Sequence, residues 1–478
     1  MTPGNLLLIL SDEHARSALG CYGNPIVRTP NLDRLAARGT RFTAATTPSP
    51  ICVPARASLA TGRYVHETAC WSSAEPYQGQ IPSWGHELIA AGHEVVSIGK
   101  LHYRGSGDSN GFTEEILPLH VADGVGWIRG LLRRPLPAFP AARELAAEIG
   151  PGWSSYARYD DQVCGAACDW LRDKAAAEKG KPWVLLVSFV SPHYPLMAPE
   201  GFYSLYETAE IPPPDPGAPP QHPVLRALRG FFDYDDHFDE AGRLTARRAY
   251  YGLCSYLDHN VGRLLTALAE AGLEETTRIA YTSDHGEMLG RQGFWTKSVM
   301  YEDSVAVPLL LAGPEVPQGA VVETQASLID LHPTILEAAG PPAPETAPPH
   351  ARSLFDLARG EAAERVVLSE YHDGGSITGF FLLRIENWKY VHYVGCPPQL
   401  FDLTTDPGET RDLGQDPAHA EPRRRCEARL REILAPEAVD RRAFADQQRK
   451  IEALGGTAAL LAREDFNHTP LAAESRAG

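Results

Sequence analysis

Four short apolar runs, each followed at once by polar residues, constrain the fold of this chain more than any other feature. The runs cover residues 6–10, 94–98, 183–189 and 278–282. Helical patterns separate them, and this alternation is typical of an α/β fold with helices on both faces of a mostly parallel sheet. The clearest pattern repeats apolar residues at i, i+3, i+4 and i+7 over residues 250–268, which predicts a helix that ends near Gly272.

The polar residues that follow these runs predict where a ligand binds. They are Ser11-Asp12-Glu13, Gly99-Lys100-Leu101-His102, Ser191-Pro192-His193 and Ser283-Asp284-His285-Gly286-Glu287. In open α/β sheets, ligands bind outside the carboxyl ends of the strands. We therefore expect the four clusters to converge on one site.

Two Pro-rich stretches, residues 211–223 and 341–349, predict linkers or long surface loops, because repeated proline continues neither helix nor sheet. We interpret the second as a boundary between a large α/β domain (residues 1–345) and a smaller subdomain (346–435), followed by a C-terminal arm (436–478). The subdomain is predicted to hold an antiparallel sheet and a helix: strands at 366–368, 379–384 and 388–393, a turn at 400–403 and the helix at 421–434. The arm carries a predicted helix over residues 441–454, and we expect it to dock on another subunit of a homo-oligomer.

Composition excludes several classes of function. The 478 residues carry 44 Lys and Arg against 61 Asp and Glu, a net charge of −17, so we expect no nucleic-acid or membrane partner. The start of the chain lacks a basic segment, and its apolar run stops at Ser11, which predicts a cytoplasmic protein. Eight cysteines without a CxxC pair do not form a disulfide framework or a thiolate zinc site.

Cys52 is the cysteine that we single out for chemistry. It opens the segment Cys52-Val53-Pro54-Ala55-Arg56, in which Pro54 stands where the first turn of a helix would begin. Cys52 would then lie at a helix N-terminus, where free N–H groups favour an anion or a nucleophilic oxygen. Taken alone, the segment favours a buried cysteine before a helix over a reactive one.

The wider pattern resembles the type I sulfatases of the alkaline phosphatase superfamily. The matching motifs are Asp12-Glu13, residues 29–35 (TPNLDRL), the Cys52 segment, residues 99–102 (GKLH), residues 191–193 (SPH), residues 282–287 (TSDHGE) and Lys297. Their order and spacing match over residues 5 to about 410. The resemblance implies an alkaline-phosphatase-like fold and the hydrolysis of small-molecule sulfate esters. It also implies that a separate formylglycine-generating maturation enzyme oxidises Cys52 to formylglycine.

The resemblance assigns roles to the other motif residues. In the family, one hydroxyl of the formylglycine hydrate attacks sulfur and the other lets the covalent intermediate collapse. Lys100 and Lys297, two of only seven lysines, would hold sulfate oxygens, and Arg56 would orient the hydrate. His193 would protonate or stabilise the leaving alkoxide, and His102 would take the proton as the intermediate collapses.

A divalent metal ion is implied as well. Its expected ligands are Asp12, Glu13, Asp284 and His285, together with the residue formed at Cys52. The alternative role for these polar residues is helix capping after each strand. The pairs Asp12-Glu13 and Asp284-His285 depart from the commoner Asp-Asp and Asp-Asn. We expect Ca²⁺. Mn²⁺ is an alternative because imidazole favours a softer ion than Ca²⁺, and Mg²⁺ is a further alternative.

The branch that the chain resembles most is that of bacterial choline-sulfatase-like enzymes, with aryl or other alkyl sulfates as alternative substrates. A quaternary ammonium needs an aromatic cage and a nearby carboxylate, and Tyr103 and Trp127 are the candidate cage residues. Residues 369–379 are predicted either to reach the mouth of the pocket or to form a plain turn.

Three other functions remain open. The same machinery could hydrolyse a phosphonate monoester or a phosphodiester, because both substrates are monoanions like a sulfate ester. A non-catalytic binding protein could keep the fold. A thiol enzyme could use Cys52 with His102 or His193 as its base, but that function leaves the metal ligands unexplained.

Overall fold

The computed structural model describes residues 1–176, 180–214, 221–340, 348–361 and 365–471, and its centre is an eight-stranded sheet. The strands are β1 Asn5–Asp12, β2 Gly39–Phe42, β3 Ala45–Thr46, β4 Val95–Lys100, β5 Glu114–Leu119, β6 Ile149–Pro151, β7 Val184–Pro192, β8 Leu196–Ala198, β9 Thr277–Ser283, β10 Leu309–Ala312, β11 Ala320–Val322, β12 Ala326–Ser327, β13 Val366–Tyr371, β14 Phe380–Ile385, β15 Trp388–Tyr393 and β16 Gln399–Asp402.

The order of the central sheet is β11-β2-β10-β9-β1-β7-β4-β5, and every pair in it is parallel except the two that involve β10. The four apolar runs form β1, β4, β7 and β9, which are adjacent in the sheet. The predicted mostly parallel α/β fold is confirmed.

Helices cover both faces of this sheet. They are α1 Pro30–Ala37, α2 Cys52–Thr61, α3 Val65–Thr68, α4 Trp84–Ala90, α5 Ala142–Ala147, α6 Ser155–Ala176, α7 Glu200–Tyr203, α8 Pro223–Phe232, α9 Glu240–Glu270, α10 Glu302–Val305, α11 Leu331–Ala339, α12 Leu354–Ala358, α13 Ala420–Ile433, α14 Pro436–Ala453 and α15 Thr457–Ala462. Alternate residues of β1 point to opposite faces: Leu6 and Leu8 share a core with α2, α4 and α11, while Leu7 and Ile9 share one with α1, α6 and α9. The predicted helix over residues 250–268 is the C-terminal part of α9.

Strands β13 to β16 form the smaller antiparallel sheet, with α13 packed beside it. Residues 400–403 were predicted to be a turn, but most of them belong to β16, because Leu400 and Phe401 are buried and paired with β15. A charged cluster joins this sheet to the large one: the carboxylate of Glu302 accepts hydrogen bonds from Arg16 at 3.1 Å, Arg384 at 2.9 Å and Lys389 at 3.1 Å.

The C-terminal arm packs against its own chain. In α14, Gln447 Nε2 donates to the carbonyl of His372 at 2.7 Å, and Asp440 Oδ1 accepts from the amide of Gly379 at 2.6 Å. Docking of the arm on another subunit, and the homo-oligomer, stay predictions. Residues 215–220 and 341–347, which contain part of the first Pro-rich stretch, most of the second and the predicted domain boundary, lie outside the described residues.

Within the described ranges, no helix combines the length and the apolar character that crossing a lipid bilayer requires.

Candidate active site

The four polar clusters converge at one edge of the central sheet, as the sequence predicts. Strands β9, β1, β7 and β4 lie side by side and end at this edge. Their ends place seven site residues together, and all seven are at most 6% exposed: Asp12, Glu13, Lys100, His102, His193, Asp284 and His285. The charged and titratable side chains of the site are therefore withdrawn from bulk water.

Helix α2 brings Cys52 and Arg56 to the same edge. Ile51 is extended and Cys52 is the first helical residue, so the predicted position at a helix N-terminus is confirmed. Cys52 Sγ lies 3.1 Å from His285 Nε2 and 3.5 Å from Asp12 Oδ1. Arg56 follows one helical turn later and is 2% exposed.

The guanidinium of Arg56 joins the ends of four strands. Its Nε donates to Asp284 Oδ2 at 2.7 Å and one terminal nitrogen donates to Asp12 Oδ2 at 3.2 Å. The other terminal nitrogen donates to the carbonyl of Lys100 at 2.7 Å and to Ser188 Oγ at 3.0 Å. Arg56 therefore compensates two buried carboxylates and fixes the spacing of β1, β4, β7 and β9.

Four side chains have the spacing of a metal site. One ligand atom each from Asp12, Cys52, Asp284 and His285 lies within 4.8 Å of the others. Although burial raises the pKa of Asp12, the charges of Lys100 and Arg56 hold it well below its usual range, so this carboxyl is ionised. Two carboxylates and one imidazole are a donor set that suits a hard or borderline divalent cation.

Glu13 lies beside these four residues, and its carboxyl contacts the ammonium of Lys297. Its Oε2 accepts a hydrogen bond from Lys297 Nζ at 2.9 Å, and the same ammonium donates to His193 Nε2 at 2.8 Å. Burial lowers the pKa of Lys297, but Glu13 and the other negative groups nearby outweigh burial and raise it above its usual range. Lys297 therefore keeps its charge.

His193 and His102 are both neutral in this surrounding. His193 Nδ1 donates to the carbonyl of Tyr194 at 2.6 Å, which leaves Nε2 as an acceptor. Burial and the charge of Lys297 lower the pKa of His193 well below its usual range. Burial and the charge of Lys100 likewise lower the pKa of His102 well below its usual range. Among the described residues neither ring nitrogen of His102 has a hydrogen-bond partner, so both are free for a substrate or an anion.

Lys100 completes the cationic side of the site. Its Nζ lies 2.6 Å from Asp12 Oδ2, and the side chain is fully buried. The site therefore contains three buried cationic groups, on Arg56, Lys100 and Lys297. Such an arrangement binds an anion electrostatically without needing to reorganise.

A cavity that is partly open to solvent is lined both by these charged residues and by aromatic side chains, here called the aromatic wall. Cys52, Lys100, His102, His193 and Lys297 line its charged end. The aromatic residues of the wall are Trp127, Phe139, Tyr156, Tyr194, Phe232, Tyr234, Tyr371 and Phe466. Of the two predicted cage residues, Trp127 lines the cavity, whereas the Tyr103 ring packs in the core at 4.9 Å from the Tyr77 ring and is not among the described lining residues.

Two carboxylates lie just behind the aromatic wall. Trp127 Nε1 donates to Asp465 Oδ1 at 3.1 Å. Asp373 Oδ2 accepts from the amide and the hydroxyl of Ser73, at 2.7 and 2.6 Å, and Ser73 lines the cavity. Asp373 belongs to residues 369–379, and Tyr371 of the same segment reaches the cavity itself.

Sequence reasoning missed three sets of site residues. Glu287 stands in a motif that we quoted without assigning it a role. Phe139, Phe232 and Tyr234 come from segments without a motif, and only the folded chain brings them to the cavity. Residues 466–469 of the arm also line it. The signal that could have indicated Glu287 is its position two residues after His285.

Comparison with known proteins agrees with this geometry. Residues 4–341 match the family model described as Sulfatase. The chain belongs to the sulfatase family. Residues 290–435 also match the model described as N-sulphoglucosamine sulphohydrolase, C-terminal. Choline-sulfatase of Rhizobium meliloti (strain 1021) is 35% identical over 433 residues, which are 87% of this chain and 84% of that protein. Arylsulfatase K of Bos taurus is 28% identical over 439 residues, 86% of this chain and 78% of that protein.

Solved structures share the fold of this sulfatase. Phosphonate monoester hydrolase of Agrobacterium radiobacter superposes with a TM-score of 0.73 at 24% identity, covering 90% of this chain and 95% of the other. The phosphonate monoester hydrolase from Silicibacter pomeroyi gives a TM-score of 0.70 at 25% identity, with coverage of 90% and 94%. The chain has the alkaline-phosphatase-like fold, and it is a sulfatase enzyme that hydrolyses sulfate esters.

Replacing Arg56 tests its place at the centre of the buried charges. In Arg56→Lys, one ammonium cannot reach both carboxylates and the groups on β4 and β7, so we expect a loss of about 3 kcal/mol in the free energy of unfolding. Urea denaturation of the protein with unconverted Cys52 measures it. Arg425→Lys, in an exposed pair with Glu386, is the control and should cost less than about 1 kcal/mol. Equal stability of the two variants would contradict the central role of Arg56.

Proposed function

We propose that this sulfatase hydrolyses the sulfate ester of a small alcohol with a quaternary ammonium group, through a formylglycine formed from Cys52 and a divalent metal ion. The single observation that carries the proposal is that one cavity is lined both by the charged residues around Cys52 and by an aromatic cluster of Trp127, Phe139 and Phe232. A zwitterionic ester of this kind presents its sulfate to the first and its ammonium to the second. The 35% identity to a choline-sulfatase supports the choice.

The metal ion would be held by Asp12, Asp284 and His285 beside position 52. When bound, it supplies a charge that activates the nucleophile and polarises sulfate oxygens. Glu13 stays a predicted ligand, because its carboxylate contacts Lys297 here. We propose Ca²⁺ as the ion, since two of the three side chains offer carboxylate oxygen.

The thiol form of Cys52 is a poor nucleophile. Burial and the charge of Asp12 raise the pKa of the thiol well above its usual range, so at neutral pH it is protonated. This counts against the thiol-enzyme alternative. Formylglycine hydrate at position 52 supplies one hydroxyl for attack on sulfur and a second for the release of sulfate.

The side chains around position 52 have separate tasks in this proposal. Lys100 and Lys297 bind sulfate oxygens and offset the charge that builds up as the ester bond breaks. His193 is proposed to stabilise the oxygen of the leaving alcohol once its Nε2, which accepts from Lys297 here, has taken up the proton of that ammonium. His102, with both ring nitrogens free of partners among the described residues, accepts the proton when sulfate is released. The net reaction consumes one water and yields the alcohol and hydrogen sulfate.

Conversion of Cys52 is tested by peptide mass spectrometry on protein co-expressed with a formylglycine-generating enzyme. We expect the peptide that contains Cys52 to lose about 18 Da relative to the thiol form. Release of sulfate should appear only in converted protein and be abolished in Cys52→Ala. Cys70→Ala, at another buried cysteine, should retain it. Turnover by protein whose Cys52 remains entirely a thiol would contradict the proposal, and a thiol in the presence of the maturation enzyme without any turnover would favour a binding protein.

Metal binding is tested by thermal melting of EDTA-treated protein. Because a cation binds only the folded site, adding CaCl₂ should raise the melting temperature, and more than MnCl₂ or MgCl₂ does at equal concentration. Asp284→Asn should abolish the shift. Asp258→Asn should retain it, since Asp258 is buried but caps α1 through Asn31 and Leu32, away from the site. A shift that survives in Asp284→Asn would refute the assigned ligands.

The leaving group is tested with a matched pair of esters. Choline sulfate and 3,3-dimethylbutyl sulfate differ in one atom, a positively charged nitrogen in place of a neutral carbon. Cation–π attraction of about 1 to 2 kcal/mol predicts a kcat/KM about 5- to 30-fold higher for choline sulfate. Trp127→Leu should remove most of this preference, while Trp153→Leu, at an exposed tryptophan, should keep it.

Two other esters complete this experiment. Equal turnover of the matched pair with faster hydrolysis of 4-nitrophenyl sulfate would assign the aromatic wall to an aryl leaving group. Faster hydrolysis of a phenylphosphonate monoester than of any sulfate ester would show that the preferred substrate is a phosphonate, and the proposed site residues would stay the same.

A further inference from the structure

We propose that Glu287 is a positioning residue that holds the loop of residues 287–298, here called the lysine loop, so that the ammonium of Lys297 faces the anion. The inference rests on the proposed role of Lys297 in binding sulfate. Glu287 is 2% exposed and is not itself placed among the residues that line the cavity. Its side chain also hydrogen-bonds that of Glu13, which accepts from Lys297 at 2.9 Å, so its effect on the reaction would reach Lys297 through the backbone of the loop and through Glu13.

The backbone of the lysine loop is strained. Four of its residues other than glycine have left-handed φ values: Leu289 (49°), Gln292 (55°), Thr296 (63°) and Ser298 (78°). Such residues are higher in energy than residues with ordinary backbone conformations. The strain is concentrated around Lys297, because Thr296 and Ser298 flank it directly. A loop of this kind keeps one conformation only where other contacts hold it.

Glu287 supplies two of these contacts. Its Oε1 accepts from the amides of Leu289 and Thr296, each at 2.7 Å. One carboxylate oxygen thus joins the two sides of the loop at its base. The paired amide of Thr296 belongs to the residue immediately before Lys297. Loss of the acceptor would leave two buried N–H groups unpaired, which favours a different conformation of the loop.

Backbone hydrogen bonds hold the rest of the lysine loop. Backbone pairs from Met288 to Thr296 at 2.7 Å and from Gly290 to Phe294 at 2.8 Å give it the form of a hairpin. The amide of Ser298 donates to the carbonyl of Pro50 at 3.1 Å, and Pro50 stands just before helix α2. The loop is therefore held at Ser298 beside the cysteine helix and at Thr296 by Glu287, with Lys297 between the two points.

The position of Lys297 is sensitive to this backbone. Its Nζ lies 2.9 Å from Glu13 Oε2 and 2.8 Å from His193 Nε2, and 4.8 Å from the centre of the Tyr194 ring. These contacts hold the ammonium only if the loop delivers it to them. A shift of about 1 Å at a group that contacts the substrate can reduce the rate by about 10²-fold.

A double-mutant cycle with Lys297 tests the proposal in the converted, metal-loaded enzyme. The readouts are kcat and KM for 4-nitrophenyl sulfate and the inhibition constant of inorganic sulfate. We expect Glu287→Ala to lower kcat/KM by about 10²-fold and to weaken inhibition by sulfate. Glu287→Gln keeps the oxygen acceptor and should stay within about 3-fold of the parent enzyme. In a Lys297→Ala background, Glu287→Ala should add less than about 2-fold.

The control is a buried carboxylate with the same kind of contacts elsewhere. Asp258 accepts from the amides of Asn31 and Leu32, at 3.0 and 2.8 Å. Asp258→Ala should have the same effect on kcat/KM with and without Lys297→Ala, because it acts on stability alone. If Glu287→Ala does not fold, as judged by circular dichroism, Glu287→Asp replaces it, since the shorter side chain cannot reach both amides.

Each other outcome has a definite meaning. If Glu287→Ala lowers kcat/KM equally with and without Lys297, Glu287 does not act through Lys297 and the proposal is wrong. If Glu287→Gln is as impaired as Glu287→Ala, the charge of Glu287 matters rather than its acceptor oxygen, and the proposal is again wrong. If Lys297→Ala alone changes neither kcat/KM nor inhibition by sulfate, the proposed role of Lys297 fails instead.

Discussion

The buried guanidinium of Arg56 is the interaction on which the rest of the site depends. Asp12 and Asp284 end adjacent strands and are both fully buried, so without a cation between them their charges would repel each other in a medium that screens poorly. Arg56 pairs with both carboxylates and also donates to the carbonyl of Lys100 and the hydroxyl of Ser188. Its planar fork can make all of these bonds at once, which an ammonium cannot. Because helix α2 carries both Arg56 and Cys52, the same contacts fix the distance from position 52 to the carboxylates.

Backbone strain marks the residues that face the anion. Glu13, His102, Thr296 and Ser298 all have left-handed φ values, and each stands at or next to a proposed site residue. At the first two, the turn follows directly on a strand end, so the chain reverses sharply and aims the side chain across the edge of the sheet. Such conformations persist only where surrounding contacts over-determine them. Buried hydrogen bonds to backbone amides, such as those of Glu287, do this around Lys297.

The charged end of the site could be predicted from the sequence, and the aromatic end could not. Asp12, Lys100, His193 and Asp284 each follow an apolar run, and parallel strands that are adjacent in a sheet end at the same edge, so local pattern was enough. The cavity wall combines Trp127, Phe139, Phe232 and Phe466, which are distant in sequence and follow no period. Tyr103 shows the limit of proximity in sequence: it lies next to His102, yet its ring turns into the core against Tyr77. Glu287 bonds the amides of Leu289 and Thr296 and the side chain of Glu13, and such contacts within a fold leave little trace in residue type.

This division has a consequence for how the enzyme selects a substrate. In the proposed function the anion is bound by groups on strand ends, on α2 and on the lysine loop, whereas the leaving group meets side chains from other loops, from α8 and from the arm. Changes to the wall can therefore alter the leaving group without moving the charges at Cys52. Asp373 and Asp465 are placed one layer behind this wall, hydrogen-bonded to Ser73 and Trp127. Asp465 is also paired with Arg129 at 3.4 Å, and burial raises the pKa of Asp373, so neither carboxylate places an uncompensated charge at the wall. Selection of the leaving group therefore rests on the shape and the π-faces of the aromatic side chains.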